Sequence, residues 1–383
     1  MKNLALIWLL CFAHAFQAQD SNARYQLDWK SNLSYNSSGI DRHLTDAFFY
    51  GGHIDSLITA KSLSQLHSRN FWGMNLESSL RLTLPNQYLI QGGIYNYTGI
   101  NFSKDAFGLT FLGNASYMAD TALLSGTKFQ STSFSKLGIG RVIDSLGSTI
   151  CFNLVALHAD SYGTIYGGSI YQDPLIDSIS LDVNAHVRTS KMSLFTGVGF
   201  AIDLDYRFVS ADEERQLPFQ IVLQNIGVAK SFQPMQSYQV DSSLLYTGFS
   251  LQQFSAQGPT ALLTSLLDSL GIHSKHTSGW VLLPGMMQFS KTIDPKMPQR
   301  LQAYYGAKMY LRSTYIPCIY AGLDTRMANG FHLGIGASYG GFGGLRLQAY
   351  SQLQFKQWSL GLHTDNALMH NGASLYAHLK CGF

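Results

Sequence analysis

The chain has 383 residues, of which 13% are charged and 13% are aromatic, and its formal net charge is +3. A soluble domain usually has about a quarter charged residues, and a helical membrane protein has long apolar blocks, so both classes fit poorly. The positive charges form no run, which argues against nucleic-acid binding and against a polybasic lipid patch. Few charges, many aromatics and 36 glycines are instead typical of a β-barrel with an apolar outside and a polar inside.

The N-terminus predicts a secretory signal peptide over residues 1–18. Lys2 gives a short positive region, residues 4–12 an apolar stretch and residues 13–18 a small-residue cleavage zone. The apolar stretch is shorter than the roughly 20 residues that a membrane-spanning helix needs. We therefore expect export, cleavage of the signal peptide and an outer-membrane location for residues 19–383.

Apolar and polar residues alternate along many segments, which is the period of a half-buried β-strand. Segments of roughly 10 to 13 residues exceed the mean soluble strand of about 5 or 6 and match a tilted membrane-spanning strand. Candidate strands lie near 25–34, 71–84, 87–98, 128–142, 147–158, 179–189, 196–208, 218–229, 279–291, 300–312, 315–327, 331–341, 344–355 and 372–383. The sequence predicts an all-β fold, a transmembrane antiparallel barrel of about 14 strands (roughly 12 to 16). Residues 357–365 are an alternative extra strand.

The last strand ends on an aromatic residue with no polar tail behind it. Its apolar row ends at Cys381 and Phe383, and a polar row that includes His378 and Lys380 opposes it. We interpret Phe383 as an assembly signal for the barrel-assembly machinery. This strand is expected to complete the sheet beside the first strand, because an open edge cannot be hydrated inside a bilayer.

Two stretches break the strand pattern and predict short helical insertions. Residues 260–272 place leucines at helical spacing after a Gly-Pro start, and this helix would plug the pore or cap its end. Residues 53–67 show a weaker helical pattern. The surrounding segment near 35–70 is either an N-terminal plug inside the lumen or a surface loop with one helical turn.

Several segments carry a resemblance to known proteins. They are FQIVLQNIG at 219–227, SFQPMQSYQV at 231–240, and the C-terminal runs HLGIGASYGGFGGLRLQAYSQLQF and HTDNALMHNGASLYAHLKCGF. Together, over roughly residues 85–383, they resemble a family of uncharacterised Bacteroidota outer-membrane proteins. That family is similar in architecture to the long-chain fatty-acid transporter superfamily of β-barrels. The resemblance implies a fold and a location rather than a reaction.

Candidate catalytic and metal-binding residues lack the context that such sites need. His158, Asp160 and Ser161 have the side-chain types of a hydrolase triad, but no Gly-x-Ser-x-Gly elbow accompanies them. His273 and His276 share a spacing suited to one face, but no third ligand is near in sequence. We therefore expect no enzyme activity, no metal and no cofactor.

The polar rows of the strands offer one constellation, which we expect to face the lumen. Its members on adjacent candidate strands are Asp182, His186, Arg188, Asp203, Asp205 and Arg207. A positive patch on the other side consists of Lys308, Arg312 and Arg346. The six-residue network either closes a narrow lumen with salt bridges or lines a ligand path. The positive patch either attracts a carboxylate or pairs with the aspartates of the network.

Two functions remain open at this point. The first is a passive channel or transporter for a small, partly apolar molecule. The alternative is a non-catalytic accessory subunit of a secretion or surface-assembly complex. The expected partners are outer-membrane lipid, the barrel-assembly machinery, and a small apolar ligand or a secretion partner.

Overall fold

Nineteen β-strands join one antiparallel sheet in the computed structural model, which describes residues 25–175, 178–212, 215–246, 273–293, 301–327 and 330–383. In chain order they are β1 (Gln26–Ser37), β2 (Arg69–Thr83), β3 (Tyr88–Ser103), β4 (Thr121–Leu123), β5 (Lys128–Val142), β6 (Thr149–Asp173), β7 (Ser178–Thr189), β8 (Gly197–Asp212), β9 (Arg215–Ser231), β10 (Met235–Tyr246), β11 (His273–Thr277), β12 (Trp280–Leu282), β13 (Met286–Lys291), β14 (Leu301–Tyr310), β15 (Ile316–Arg326), β16 (Phe331–Gly341), β17 (Arg346–Phe355), β18 (Trp358–Thr364) and β19 (Gly372–Gly382).

Fourteen of these strands form a closed wall. The order around the ring is β1, β2, β3, β5, β6, β8, β9, β13, β14, β15, β16, β17, β18 and β19. The ring closes where β1 pairs with β19, from Gln26 opposite Gly382 to Asn36 opposite Gly372. Closure removes the free edges that an open sheet would expose. The prediction of an all-β antiparallel barrel of about 14 strands is therefore confirmed.

One predicted strand does not belong to the wall, although it is a strand and the count of wall strands is right. The predicted strand at 179–189 is β7, which pairs with the second half of β6 and with β10 and not with β8. Its place in the wall is taken by β18, within the alternative strand at 357–365. The reason is the length of β6, 25 residues, whose first half pairs with β8 and whose second half continues beyond the wall to β7. The second half of β6 with β7, β10 and β11 is called the extension below.

The two ends of the barrel differ. The end that carries Tyr25 and Phe383, here the termini end, has short turns such as 84–87 and 143–148. The other end, here the loop end, carries the long connection 38–68 and the extension. Transmembrane barrels typically have short turns on one side and long loops on the other.

Within the described ranges, three α-helices lie at the loop end, and each begins at a side-chain cap. They are α1 (Arg42–Tyr50), capped by Asp41, α2 (Ser56–Gln65), capped by Asp55, and α3 (Lys104–Leu112), capped by Ser103. A buried cluster joins them to β2 and β3, and its members are Leu44, Leu66, Trp72, Phe102 and Phe107. No helix in the described part of the chain is long and apolar enough to cross a membrane.

The predicted plug near 35–70 stays a prediction. This segment contains α1 and α2, so the helical pattern at 53–67 corresponds to a real helix. The signal peptide at 1–18 and the insertion at 260–272 lie outside the described residues.

The outer face of the wall is apolar. Every wall strand except β9 displays a large apolar side chain that is more than a third exposed, for example Leu33, Leu80, Ile94, Ile139, Leu154, Phe200, Phe289, Tyr305, Ile319, Ile335, Leu347, Leu360 and Leu375. Toward the termini end, stacked aromatic rings run across β8, β9 and β13, from Tyr206 through Phe208 and Phe219 to Phe289. An apolar band with an aromatic row at its border is the pattern of a lipid-facing barrel surface.

Candidate functional site

A cavity of about 670 Å³ occupies the lumen on the side formed by β13 to β19, β1 and β2. Because side chains alternate along a strand, inward-facing rows of these strands line it, together with Arg207 on β8 and Gln220 and Gln224 on β9. Six tyrosines line the cavity, and they are Tyr304, Tyr310, Tyr315, Tyr320, Tyr350 and Tyr376. Its charged residues are Lys30, Glu77, Arg207, Lys308, Arg346 and Asp365. The volume lies in the usual range for small-molecule sites, about 300 to 1,000 Å³.

Four aromatic side chains, here the aromatic layer, bound the cavity toward the loop end: Tyr97, Tyr310, Tyr315 and Phe342. Ring centroids are 5.1 Å apart for Tyr97 and Tyr310, 4.9 Å for Tyr310 and Tyr315, and 5.0 Å for Tyr315 and Phe342. Tyr97 lies on β3 and Tyr310 on β14, on opposite sides of the ring, so their contact crosses the lumen. A void of only about 10 Å³ remains on the other side of these rings, roughly the space of one water.

Glycine on the facing wall makes room for Phe342. A Cβ atom at Gly73 would lie 2.3 Å from the Phe342 ring, and a Cβ at Gly99 would lie 3.1 Å from it. Phe342 itself follows Gly341, whose φ of +69° belongs to the turn between β16 and β17. The ring therefore lies against bare backbone of β2 and β3, a contact that any larger residue at Gly73 would displace.

A buried ion pair lies in the other half of the lumen and connects the strands around it. Lys136 Nζ lies 2.6 Å from Asp203 Oδ2 and donates to Asn225 Oδ1 at 2.5 Å. Gln91 and Asn153 also donate to Asp203 Oδ2, at 2.5 and 3.2 Å. Asn225 has a positive φ of +57°, and its backbone N–H donates to Asp203 Oδ1 at 2.7 Å. The network ties together β3, β5, β6, β8 and β9.

Apolar and aromatic side chains fill the space around this ion pair. Tyr95 stacks on Phe134 with centroids 5.1 Å apart, and Lys136 Nζ lies 4.7 Å from the centre of the Tyr95 ring. The same cluster includes Val155 and Leu157, both fully buried. Side chains thus fill much of the lumen beside β3, β5 and β6, and the cavity of about 670 Å³ lies toward β13 to β19, β1 and β2.

The six residues of the predicted polar network are divided between two places. Asp205 and Arg207 pair at 3.2 Å, and Gln220 donates to Asp205 at 2.7 Å. Arg207 lines the cavity, whereas Asp203 pairs with Lys136. These residues all lie inside the barrel wall.

The other three members lie on β7 in the extension. Arg188 pairs with Asp160 at 3.1 Å, and His186 contacts Tyr162 and Ser237 at 2.7 and 2.9 Å. The exposed residue Asp182 lies on the same strand. Because β7 and β8 are not neighbours, the structure does not bring this group to Asp203 and Asp205.

The predicted positive patch is also divided. Lys308 and Arg346 line the cavity. Arg312 lies at the loop end, where it donates to Thr132 at 2.6 Å and to the carbonyl of Leu282 at 3.1 Å.

Tyr25, the first described residue, meets Phe383 at the seam where the last strand closes the barrel, as predicted for a closing strand. Phe383 and Tyr25 exchange backbone hydrogen bonds of 2.8 and 2.9 Å, and their rings stack with centroids 5.8 Å apart. The role of Phe383 in assembly stays a proposal.

Sequence reasoning missed the residues that complete the interior network. Lys136 lies 67 positions from Asp203, and Glu77, which accepts from the Tyr310 hydroxyl at 3.1 Å, is 233 positions from that tyrosine. One feature of the sequence could have indicated these residues: a charged residue in the inward row of a candidate strand needs a partner of opposite charge elsewhere in the lumen.

The hydrolase-like residues do not contact one another. His158 Nδ1 contacts the Leu194 carbonyl at 2.7 Å, and Ser161 contacts Thr189 at 3.0 Å. Asp160 accepts from Thr132 and Arg188. Across the described residues, no group of three His, Cys, Asp or Glu side chains is arranged to hold a metal ion.

Several solved outer-membrane barrels are similar in fold. The translocator domain of the autotransporter NalP from Neisseria meningitidis matches with 7% identity, covering 100% of this chain and 96% of that chain, at a TM-score of 0.31. The P. putida toluene transporter TodX matches with 10% identity, covering 96% and 91%, at a TM-score of 0.36. The CymD monoaromatic hydrocarbon channel matches with 4% identity, covering 94% and 89%, at a TM-score of 0.28. At these identities and TM-scores, the similarity concerns the barrel fold alone.

No protein-family model matches the sequence, and a search of curated proteins also gave no match.

Proposed function

We propose that this chain is an outer-membrane channel or transporter that takes a small, partly apolar molecule into its lumen. The observation that carries the proposal is the cavity of about 670 Å³ inside a wall with an apolar outer face. An apolar band on a closed barrel supports lipid as the surrounding medium. Residues 1–18 support export by a cleaved signal peptide.

The lining of the cavity suits a molecule with both an apolar ring and polar groups. Tyrosine presents a flat apolar face together with a hydroxyl, and six tyrosines line the cavity. Side-chain amides, for example Gln224, Gln288 and Gln348, supply hydrogen bonds between them. A purely aliphatic solute would displace water from these amides without offering them a hydrogen bond, which opposes its binding.

The aromatic layer is the proposed gate at the loop end. Its rings contact one another across the lumen, and the void beyond them is about 10 Å³. Passage of a solute through this end requires these side chains to move apart. Tyr315 and Phe342 follow β14 and β16 in connections at the loop end, where a rotation moves no wall strand.

The proposal is tested by solute flux into vesicles that contain the reconstituted barrel. Phenyl glucoside is a suitable probe, because it has an apolar ring and a sugar that crosses lipid slowly. We expect measurable flux through the wild type and several-fold faster flux through the double variant Tyr315→Ala/Phe342→Ala. The matched control is Phe152→Ala, which removes an aromatic ring that is 58% exposed on the outer face.

Equal flux through empty vesicles, the wild type and the gate variant would overturn the proposal. An equal acceleration by the control would show that general loosening of the barrel, not the gate, admits the solute.

A second candidate function is an accessory subunit of a secretion or surface-assembly complex. It is favoured by the loop end, where α1 exposes Phe48, Phe49 and Tyr50 at 63%, 51% and 82%. Exposed apolar patches of this kind commonly mark protein contacts. This candidate predicts that the triple variant Phe48→Ser/Phe49→Ser/Tyr50→Ser impairs surface assembly and leaves solute flux unchanged, while the transport proposal predicts no assembly defect.

A further inference from the structure

We infer that Arg346 and Lys308 form a carboxylate-binding site in the cavity, so that the molecule taken up is a small organic anion with an apolar ring. This inference rests on the proposed function, because it names the class of molecule that the cavity admits.

Arg346 is buried without a full set of partners. Its side chain lines the cavity although the residue is only 8% exposed, and its Nε has no hydrogen-bond partner among the described residues. Its Nη2 donates to the Cys318 thiol sulfur at 3.5 Å, and sulfur is a weak acceptor. Arg346 lines the cavity, and a guanidinium can donate N–H groups to both oxygens of a carboxylate.

Lys308 brings a second positive charge to the same place. It is the register partner of Cys318 on β15, the residue that Arg346 contacts. Lys308 Nζ lies 5.0 Å from the centre of the Tyr310 ring, at the aromatic layer. Neither Lys308 nor Arg346 forms an ion pair within 4.0 Å in the described residues, whereas Arg207 in the same cavity pairs with Asp205.

The two carboxylates of the cavity do not pair with these cations. Glu77 accepts from the Tyr310 hydroxyl at 3.1 Å, Asp365 accepts from the Tyr376 hydroxyl at 3.2 Å, and neither forms an ion pair with Lys308 or Arg346 in the described residues. Arg346 and Lys308 therefore have no carboxylate at contact distance and can each bind an external one. The neighbouring tyrosine faces supply a surface for an aromatic or other flat ring attached to that anion.

The test compares two molecules of nearly equal size and shape, para-fluorobenzoate and its uncharged amide, by fluorine NMR titration of the detergent-solubilised barrel. We expect the carboxylate to bind the wild type about tenfold more tightly than the amide, as for a charge-assisted contact. Arg346→Gln and Lys308→Gln should each remove most of this preference and leave binding of the amide unchanged. Retained amide binding also shows that each variant is folded.

The matched control is Arg207→Gln, which removes one positive charge from the same cavity but from a guanidinium already paired with Asp205. It should retain the preference for the carboxylate. Equal binding of the two molecules to the wild type would overturn the inference without any variant. A loss in Arg207→Gln as large as in Arg346→Gln would overturn it too, because the lumen would then attract anions only through its overall charge.

The outcome is separable from the proposed function. If the carboxylate is bound selectively but phenyl glucoside does not enter vesicles, the site stands and the transport proposal fails. If phenyl glucoside enters but the two fluorinated molecules bind equally, the transport proposal stands and the anion site fails.

Discussion

Removing the carboxylate of Asp203 should strongly destabilise the barrel. The side chains of Lys136 and Asp203 are 1% and 10% exposed, and their charged atoms lie 2.6 Å apart. At an effective dielectric constant of about 20, two unit charges at that separation attract by about 6 kcal/mol, and the desolvation of both groups offsets part of this. Asp203→Asn leaves the ammonium group of Lys136 buried beside neutral amides. We therefore expect a loss of about 3 to 5 kcal/mol in the free energy of unfolding.

The assay is urea unfolding of the barrel folded into phospholipid vesicles, followed by tryptophan fluorescence. Asp205→Asn is the matched control, because it makes the same chemical change two positions along β8. Its partner Arg207 has a side chain that is 49% exposed, so the expected cost is at most about 1 kcal/mol. The double variant Lys136→Met/Asp203→Asn also removes the unpaired ammonium group of Lys136, so it should recover most of the lost free energy of unfolding. Equal costs for Asp203→Asn and Asp205→Asn would refute the reasoning.

Three further predictions concern a helix cap, the positive-φ residue Asn225 in β9 and the contact of Tyr25 with Phe383. Burial acts to raise the pKa of Asp41, but hydrogen bonding from Lys61 holds that pKa below its ordinary value of 3.8. The cap therefore stabilises α1 fully above about pH 4 and loses this effect as the pH falls through the lower folded pKa. After correction for intrinsic rates, hydrogen exchange in α1 should accelerate below that pH in the wild type but not in Asp41→Asn. Because Asn225 has a φ of +57°, Asn225→Ala should cost about 1 kcal/mol more than Asn225→Gly in urea, and equal costs would contradict this. Phe383→Ala removes a ring stacked on Tyr25, so it should slow folding into vesicles, measured by heat-modifiability on gels; an unchanged rate would count against a role in assembly.

The fold was predictable because its main determinant is local. Alternation with period two is visible in each segment, and wall strands such as β3 and β5 are long enough to separate a membrane barrel from a soluble sandwich. Partner choice is not local. The segment 179–189 alternates like a wall strand, but only the 25-residue length of β6 takes β7 beyond the wall.

The site was less predictable than the fold, for the same reason. The sequence pattern put Lys308 and Arg346 in inward rows, and in the structure both residues line the cavity, because the side of a strand follows from its alternation. Which charges meet inside the barrel depends on strands far apart in sequence. Asp203 therefore pairs with Lys136, and Arg312 lies against Thr132 instead of an aspartate.

The proposed gate depends on features that have no sequence motif. Phe342 lies in a glycine-rich run, residues 340–344, that leads from β16 to β17. Its ring reaches β2 only because residue 73 is glycine. Contacts between a turn and a distant bare strand cannot be recognised from either segment alone.

The most direct test of the account is native mass spectrometry of the barrel extracted mildly from its own membrane. The account predicts a bound small molecule, organic and anionic, at up to one copy per barrel, and its loss in Arg346→Gln. A barrel without any small molecule but with a stoichiometric protein partner would contradict the transport function and favour the accessory subunit.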